Sequence, residues 1–194
     1  MKEILIASKN KGKLHEYEAL LKPYDLKLRS LFDFPEIDEI EETGDTFEKN
    51  ALIKAKTLHD LTGLPVIADD SGLMVAALNG EPGIHSKRYS EAATDLENNR
   101  LLVKNLSKHK NHKATFVAVI AYYENPSHYE LFRGETEGEI VLEPRSGQGF
   151  GYDPHFLIPS LGKTLSELTT IEKNQVSHRG KAFAKFIAYW SQKS

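Results

Sequence analysis

The stretch PVIADDSGL, residues 65–73, decides how the chain is read. Pro65 to Ala68 is a short apolar run of the kind a sheet buries, and it leads directly into Asp69 and Asp70. Two carboxylates therefore stand at a strand end, with Gly72 to turn the backbone beside them and a second apolar strand, Leu73 to Leu78, expected after the turn. Upstream, Phe47, Ala51, Leu58 and Leu61 mark a helix that the pair Asp45 and Glu48 opens and Gly63 and Pro65 close. Further back, residues 3–7 read as a buried strand, Ser8 to Lys13 as a polar loop, and Leu14, Tyr17, Leu20 and Leu21 as one helix face ending at Pro23. Downstream, Thr94 and Glu97 form a capping pair ahead of Leu96, Leu101, Leu102 and Leu106. ATFVAVIAYY (114–123) and residues 129–142 flank an Asn125-Pro126-Ser127 turn and read as an antiparallel hairpin. Gly147, Gly149 and Gly151 demand a loop, and Thr164 with Glu167, then Ser177, open two closing helices. The order predicts an α/β protein with a mixed β-sheet, one domain over residues 1–194, bent into two lobes around a cleft.

Composition narrows the class. The chain has 194 residues, 40% hydrophobic and 27% charged, which fits a soluble globular protein rather than a disordered or membrane one. A net charge of −3 argues against a protein that coats nucleic acid. The absence of cysteine excludes disulfides, thiolate metal sites and cysteine nucleophiles, and makes the cytoplasm the expected compartment. The apolar run Ile4 to Ala7 is too short for a signal peptide or a membrane span.

Several clusters can carry chemistry, each with a plainer reading beside it. Ser8, Lys9, Asn10, Lys11, Gly12 and Lys13 lie between a strand and a helix, where backbone N–H groups and the helix dipole favour phosphate. The loop lacks the Walker A spacing and equally reads as a solvated basic turn. Asp69 and Asp70 repel each other unless a hard cation such as Mg²⁺ neutralises them; otherwise one caps a turn and the other is solvated. Glu41 and Glu42 belong to an acidic run that is solvated by default, yet the next helix displays Lys54 and Lys56, so acids facing lysines can form a metal–triphosphate cradle. In PRSGQGFGYDPHF (144–156), Phe150 or Tyr152 can stack on a base, worth roughly 1–3 kcal/mol, or can fill a local minicore. Lys173, His178 and Arg179 are donors near a helix start, able to read an acceptor-rich ligand edge or simply to lie on the surface. His109 and His112 sit in a lysine-rich stretch that reads as solvated loop, and no Ser-His-Asp triple stands out.

Taken in order, IASKNKGKLHE (6–16), EETGDTFEKNALIKAK (41–56), PVIADDSGL (65–73), ALNGEPGIHSKRYS (77–90), GFGYDPHF (149–156) and KNQVSHRGKAFAKF (173–186) make the chain resemble the Ham1/RdgB family of inosine triphosphate pyrophosphatases over nearly its whole length. The resemblance implies an elongated, two-lobed ITPase-like fold of the Maf/Ham1 type, a nucleotide in the cleft between lobes, and a homodimer. It implies that Ser8, Lys9, Asn10, Lys11, Gly12 and Lys13 bind triphosphate with help from Lys54, that Glu41 and Asp70 hold Mg²⁺, and that Asp70 is the proton acceptor. It implies substrate contacts from Ser71, Phe150, Gly151, Tyr152, Asp153, Lys173, His178 and Arg179, with Phe150 stacking on the base. The chain departs from the family pattern at Lys49, where a Glu is common, and over Ser86 to Glu91, where the family reads SARYSG.

The reaction that the resemblance implies is metal-assisted hydrolysis of ITP, dITP or XTP at the α-phosphorus, without nucleic acid or membrane as partner. Hypoxanthine and xanthine offer a 6-oxo acceptor to Lys173, His178 or Arg179, whereas adenine presents a donor that leaves both sides unpaired. Two rival readings are a related pyrophosphatase acting on damaged pyrimidine nucleotides and a nucleotide- or RNA-binding module without hydrolysis. The base-facing donors disfavour the first, and the carboxylates Glu41, Asp69 and Asp70 beside lysines disfavour the second.

Overall fold

The structure is a computed structural model and describes residues 2–24 and 26–193. In chain order the elements are β1 (Lys2–Ile6), α1 (Lys11–Leu21), β2 (Leu26–Ser30), α2 (Phe47–Thr62), β3 (Val66–Val75), α3 (Asp95–Leu106), β4 (Lys113–Asn125), β5 (His128–Ile140), β6 (Phe156–Ile158), β7 (Lys163–Thr164), α4 (Thr170–Val176) and α5 (His178–Lys193). The strands form one sheet in the order β2-β1-β3-β4-β5-β6-β7. β1 pairs in parallel with β2 and β3, with Ile6 opposite Ile67, while β6 pairs antiparallel with β5 and β7. β4 and β5 are neighbours joined only by Pro126 and Ser127, a link that permits antiparallel pairing alone. The mixed α/β sheet is the expected one. No helix among the described residues is long and apolar enough to cross a membrane.

The chain divides into two compact units, each with its own core. The first comprises Met1–Asp70, Ala118–Gly134 and Arg179–Ser194. Ile4 and Ile6 of β1, Ile67 of β3, Ala118 and Ile120 of β4, Tyr17 and Leu21 of α1, and Phe183 and Phe186 of α5 bury one another there. The second comprises Ser71–Val117 and Glu135–His178. Its core joins Leu73 and Val75 to Leu102 and Leu106 of α3, Phe116, Phe156 and Tyr152. Burial of β4 on both faces explains the unbroken apolar run over 114–123.

Four local expectations need correction. First, Asp69 to Gly72 do not turn; β3 runs unbroken from Val66 to Val75. Second, α2 is capped by Thr46, whose Oγ1 accepts from the Lys49 N–H at 3.2 Å, and Asp45 instead pairs with the Lys49 ammonium at 2.8 Å. Third, Thr164 and Glu167 form a capping box on a single 3₁₀ turn, because Thr169 adopts the extended conformation of a new N-cap and opens α4 with its own box to Glu172. Fourth, Leu96 is 60% exposed, so α3 buries Leu102 and Leu106 without it.

The capping correction is testable by urea unfolding. Thr46→Ala should cost about 1 kcal/mol, since it leaves the Lys49 N–H without its side-chain acceptor, and Asp45→Ala should cost clearly less because its ion pair is exposed.

Candidate active site

In the first unit the site grows from the end of β1. Asn10 caps α1, its Oδ1 accepting from the Lys13 N–H at 3.1 Å, so the loop expected over Ser8 to Lys13 ends at Asn10 and Lys11 to Lys13 form the first turn of the helix. Lys9 reaches back to the Ile37 carbonyl at 2.9 Å and anchors the acidic connection. Lys13, Glu16 and Tyr17 lie three and four residues apart on one face of α1. That face meets Asp69 on β3. Asp69 Oδ1 pairs with Lys13 Nζ at 2.5 Å, and Oδ2 accepts from the Tyr17 hydroxyl at 3.0 Å and from Arg179 Nε at 2.8 Å. The guanidinium of Arg179 also donates to Glu16. Arg179 is 1% exposed and Glu16 3%, so an Arg is held between two acids inside the protein. The Asp69 carbonyl collects both lysines, accepting from Lys13 Nζ at 3.3 Å and from Lys54 Nζ at 3.1 Å. Lys54 is bridged in turn to Glu42 at 2.6 Å.

The two adjacent carboxylates are poised in opposite directions. Burial alone would raise Asp69, but Arg179 and Lys13 hold it well below the usual carboxylate range. Asp70 is pushed up to about 6, first by burial and then by the charges of Glu42 and Asp69, against the opposing pull of Lys54 and Lys13. Burial also lowers Lys13 despite its pairing with Asp69. Neighbouring acids driven apart in this way are the pattern of a charged anchor beside a titratable base.

The second unit holds a separate cluster around the 147–153 loop. Gly149 has φ 127°, and a Cβ there would lie 2.5 Å from Asp153 Oδ2, so only glycine lets the carboxylate fold back. Asp153 Oδ2 accepts from the Phe150 N–H at 2.9 Å and from Lys173 Nζ at 2.6 Å. Lys173, itself buried, sits 4.7 Å from the centre of the Phe150 ring, within cation–π reach. Tyr152 is buried with its hydroxyl donating to the Ser86 carbonyl at 2.7 Å. His178 is buried with its ring stacked on Phe116 at 4.6 Å and 8°.

Each predicted residue thus has a place. Ser8 to Lys13, Lys54 and Asp70 gather in the first unit; Phe150, Gly151, Tyr152, Asp153, Lys173 and His178 gather in the second, and Ser71 continues β3 half-buried. Two residues have surroundings that the sequence does not show. Glu41 is exposed, while Glu42 bridges Lys54 and acts on Asp70. Arg179 is enclosed between Asp69 and Glu16 and reaches the site through Asp69. Glu16 and Tyr17 escape sequence reading, although their spacing from Lys13 on α1 signals a shared face. Among the described residues no group of three or more His, Asp or Glu is gathered for a metal.

An α/β sheet with a buried acid–lysine cluster and a glycine-rich aromatic loop defines a class, and comparison names the family. A model of the Ham1 family matches residues 4–189. A protein of Lactiplantibacillus plantarum is 44% identical over 97% of this chain and 96% of its own, and one of Bacillus licheniformis is 45% identical over 99% and 100%; both are named dITP/XTP pyrophosphatase. Among solved structures, a HAM1 protein from Coxiella burnetii aligns with TM-score 0.89 and 43% identity over 99% of this chain and all of its own. The Ham1 protein of Staphylococcus aureus aligns with TM-score 0.88 and 39% identity over 100% of both chains. The chain belongs to the Ham1 family.

Arg179→Met should destabilise the protein by about 3–5 kcal/mol in denaturant unfolding, because it leaves Glu16 and Asp69 buried without their cation. The native carboxyl of Asp69 lies below its ordinary 3.8, so its contribution is complete above that value and is lost as pH falls through the native one. Acid titration should accordingly unfold the wild type at a pH where Asp69→Asn shows a shallower loss.

Proposed function

We propose that the protein hydrolyses non-standard purine nucleoside triphosphates, ITP, dITP and XTP, to the monophosphate and pyrophosphate, removing them from the nucleotide pool before they enter DNA or RNA. The observation that carries this reading is the Asp69–Asp70 pair: one acid kept charged by Arg179 and Lys13 while its carbonyl gathers Lys13 and Lys54, the other pushed up to about 6 beside them. The names of the relatives from Lactiplantibacillus plantarum and Bacillus licheniformis support the substrate class.

The triphosphate is taken by the first unit. Lys13 and Lys54, gathered at the Asp69 carbonyl, offer positive charge beside the α1 N-terminus, and Lys11 is exposed in the first turn of that helix. Asp70 and Glu42 are the residues that would hold Mg²⁺, since an acid raised to about 6 by burial and by a second carboxylate gains from a cation. When bound there, Mg²⁺ supplies charge withdrawal at the phosphoryl oxygens and neutralises the pyrophosphate. Asp70 accepts a proton from water as the water oxygen bonds to the α-phosphorus; the bond from that phosphorus to the bridging oxygen breaks, and pyrophosphate leaves with the electron pair. Lys13 and Lys54 stabilise the charge that grows on the leaving oxygens.

The base is taken by the second unit. Phe150 supplies a ring face, and Lys173 and His178 supply donors for the 6-oxo group, which adenine lacks. The absence of cysteine supports a cytoplasmic location, and the family resemblance supports a homodimer.

The test is a panel of inosine, xanthosine, adenosine and cytidine triphosphates with and without Mg²⁺, scoring pyrophosphate apart from orthophosphate. Pyrophosphate from the inosine and xanthosine substrates, only with metal, is expected; orthophosphate as the product, or tight binding with no release, contradicts the reading. Asp70→Asn should lower kcat by about 10²- to 10⁴-fold while nucleotide binding persists. Activity should fall on the acid side at or below pH of about 6, because Asp70 must be deprotonated to accept a proton, and raising Mg²⁺ should move that limb lower.

A further inference from the structure

Gly151, between Phe150 and Tyr152, is held from outside its own loop. Its N–H donates to Asp95 Oδ2 at 2.8 Å and its carbonyl accepts from Asn99 Nδ2 at 2.8 Å. Asp95 and Asn99 are four residues apart at the start of α3, so they present side chains on one face, spaced to take both polar groups of one residue. Gly151 has φ 60°, a left-handed conformation that glycine enters freely and leaves as freely, so the two hydrogen bonds from α3 restrict a residue with wide conformational freedom.

Neither side chain is needed as the cap of the helix. Thr94 already caps α3, its Oγ1 accepting from the Glu97 N–H at 3.3 Å. Asparagine inside a helix costs stability relative to alanine or leucine. Asn99 is nevertheless present, its Nδ2 shared between the Asp95 carbonyl at 2.8 Å and Gly151, while its Oδ1 is buried without a partner among the described residues. The pair acts on the loop instead. Immediately before Gly151, the Phe150 N–H is tied to Asp153 Oδ2, which also receives Lys173 Nζ, and Lys173 lies over the Phe150 ring. Immediately after it, Tyr152 is pinned to Ser86. The Gly151 residue is therefore the hinge of the segment that presents an aromatic face and a cation.

We propose that Asp95 and Asn99 are positioning residues for base recognition, clamping Gly151 so that Phe150 and Lys173 meet the purine in a fixed arrangement. This rests on the assignment of the base to the second unit. A clamp that orders the loop before binding lowers the entropic cost of binding the base and leaves the phosphate chemistry unaffected.

The experiment compares Asn99→Leu and Asp95→Ala with wild type and with Asp95→Asn, which keeps an acceptor at the same position. For each, kcat and KM for ITP are measured with Mg²⁺, together with inhibition by inorganic tripolyphosphate, which has no base, and the melting temperature. The expected result is a KM for ITP raised about tenfold in Asn99→Leu and Asp95→Ala, the factor that about 1.4 kcal/mol represents. With it go a kcat within about twofold of wild type, unchanged tripolyphosphate inhibition, and recovery of most of the affinity in Asp95→Asn. Unchanged KM in both disruptive variants overturns the proposal, and so does parallel weakening of ITP and tripolyphosphate, which marks general loosening. Absence of turnover by the wild type counts against the functional reading itself; the clamp is then read from equilibrium binding of ITP against tripolyphosphate, with the same two outcomes.

Discussion

The carboxylate of Asp69 is buried with its charge intact, and the first unit is organised around keeping it so. A lone carboxylate in such a place would take up a proton. It stays ionised because two elements remote in sequence converge on its place in β3: α1 with Lys13 and Tyr17, and the start of α5 with the guanidinium of Arg179. Glu16 completes the balance by taking the other edge of Arg179. The network ties helix ends to a strand that apolar packing of Ile67, Tyr17 and Phe183 also holds. It restricts where the Lys13 ammonium can lie, which apolar packing by itself does not do.

From that anchor the chemistry of the next residue derives. Side chains alternate across a strand, so Asp70 faces away from the Arg179 network that keeps its neighbour ionised. Burial, Glu42 and Asp69 raise it against the pull of Lys54 and Lys13, hence its shift to about 6. The same backbone that fixes Asp69 delivers its carbonyl to Lys13 and Lys54, so the charged anchor, Asp70 and two lysines meet at one short stretch of strand. The loop to which we assign base recognition is built separately, its shape depending on Gly149, Asp153 and Lys173.

How much of this is legible in the sequence depends on whether the deciding contact is local. The hairpin of β4 and β5, α2 with its Gly63 stop, and the Thr94 cap of α3 are local features, and they read correctly. β2 does not read at all: it is five residues at the sheet edge, with Lys27, Arg29 and Ser30 diluting Leu26 and Leu28, and pairing with β1 alone makes it a strand. The run through Asp69 to Gly72 reads as a turn because acids and glycine favour one, yet tertiary neutralisation keeps it extended. The Ham1 motifs draw attention to particular residues, but contacts between residues remote in sequence are not written in them. Arg179 becomes a partner of Asp69 only through α5, and Glu42 is separated from Glu41 only by which of the two turns toward Lys54.

The central claim is that water attacks the α-phosphorus at the site of Asp70. Hydrolysis of ITP in ¹⁸O-enriched water, with the products separated and weighed by mass spectrometry, tests it directly. Attack at the α-phosphorus places one ¹⁸O in the monophosphate and none in the pyrophosphate; label in the pyrophosphate, or in orthophosphate, would contradict the account.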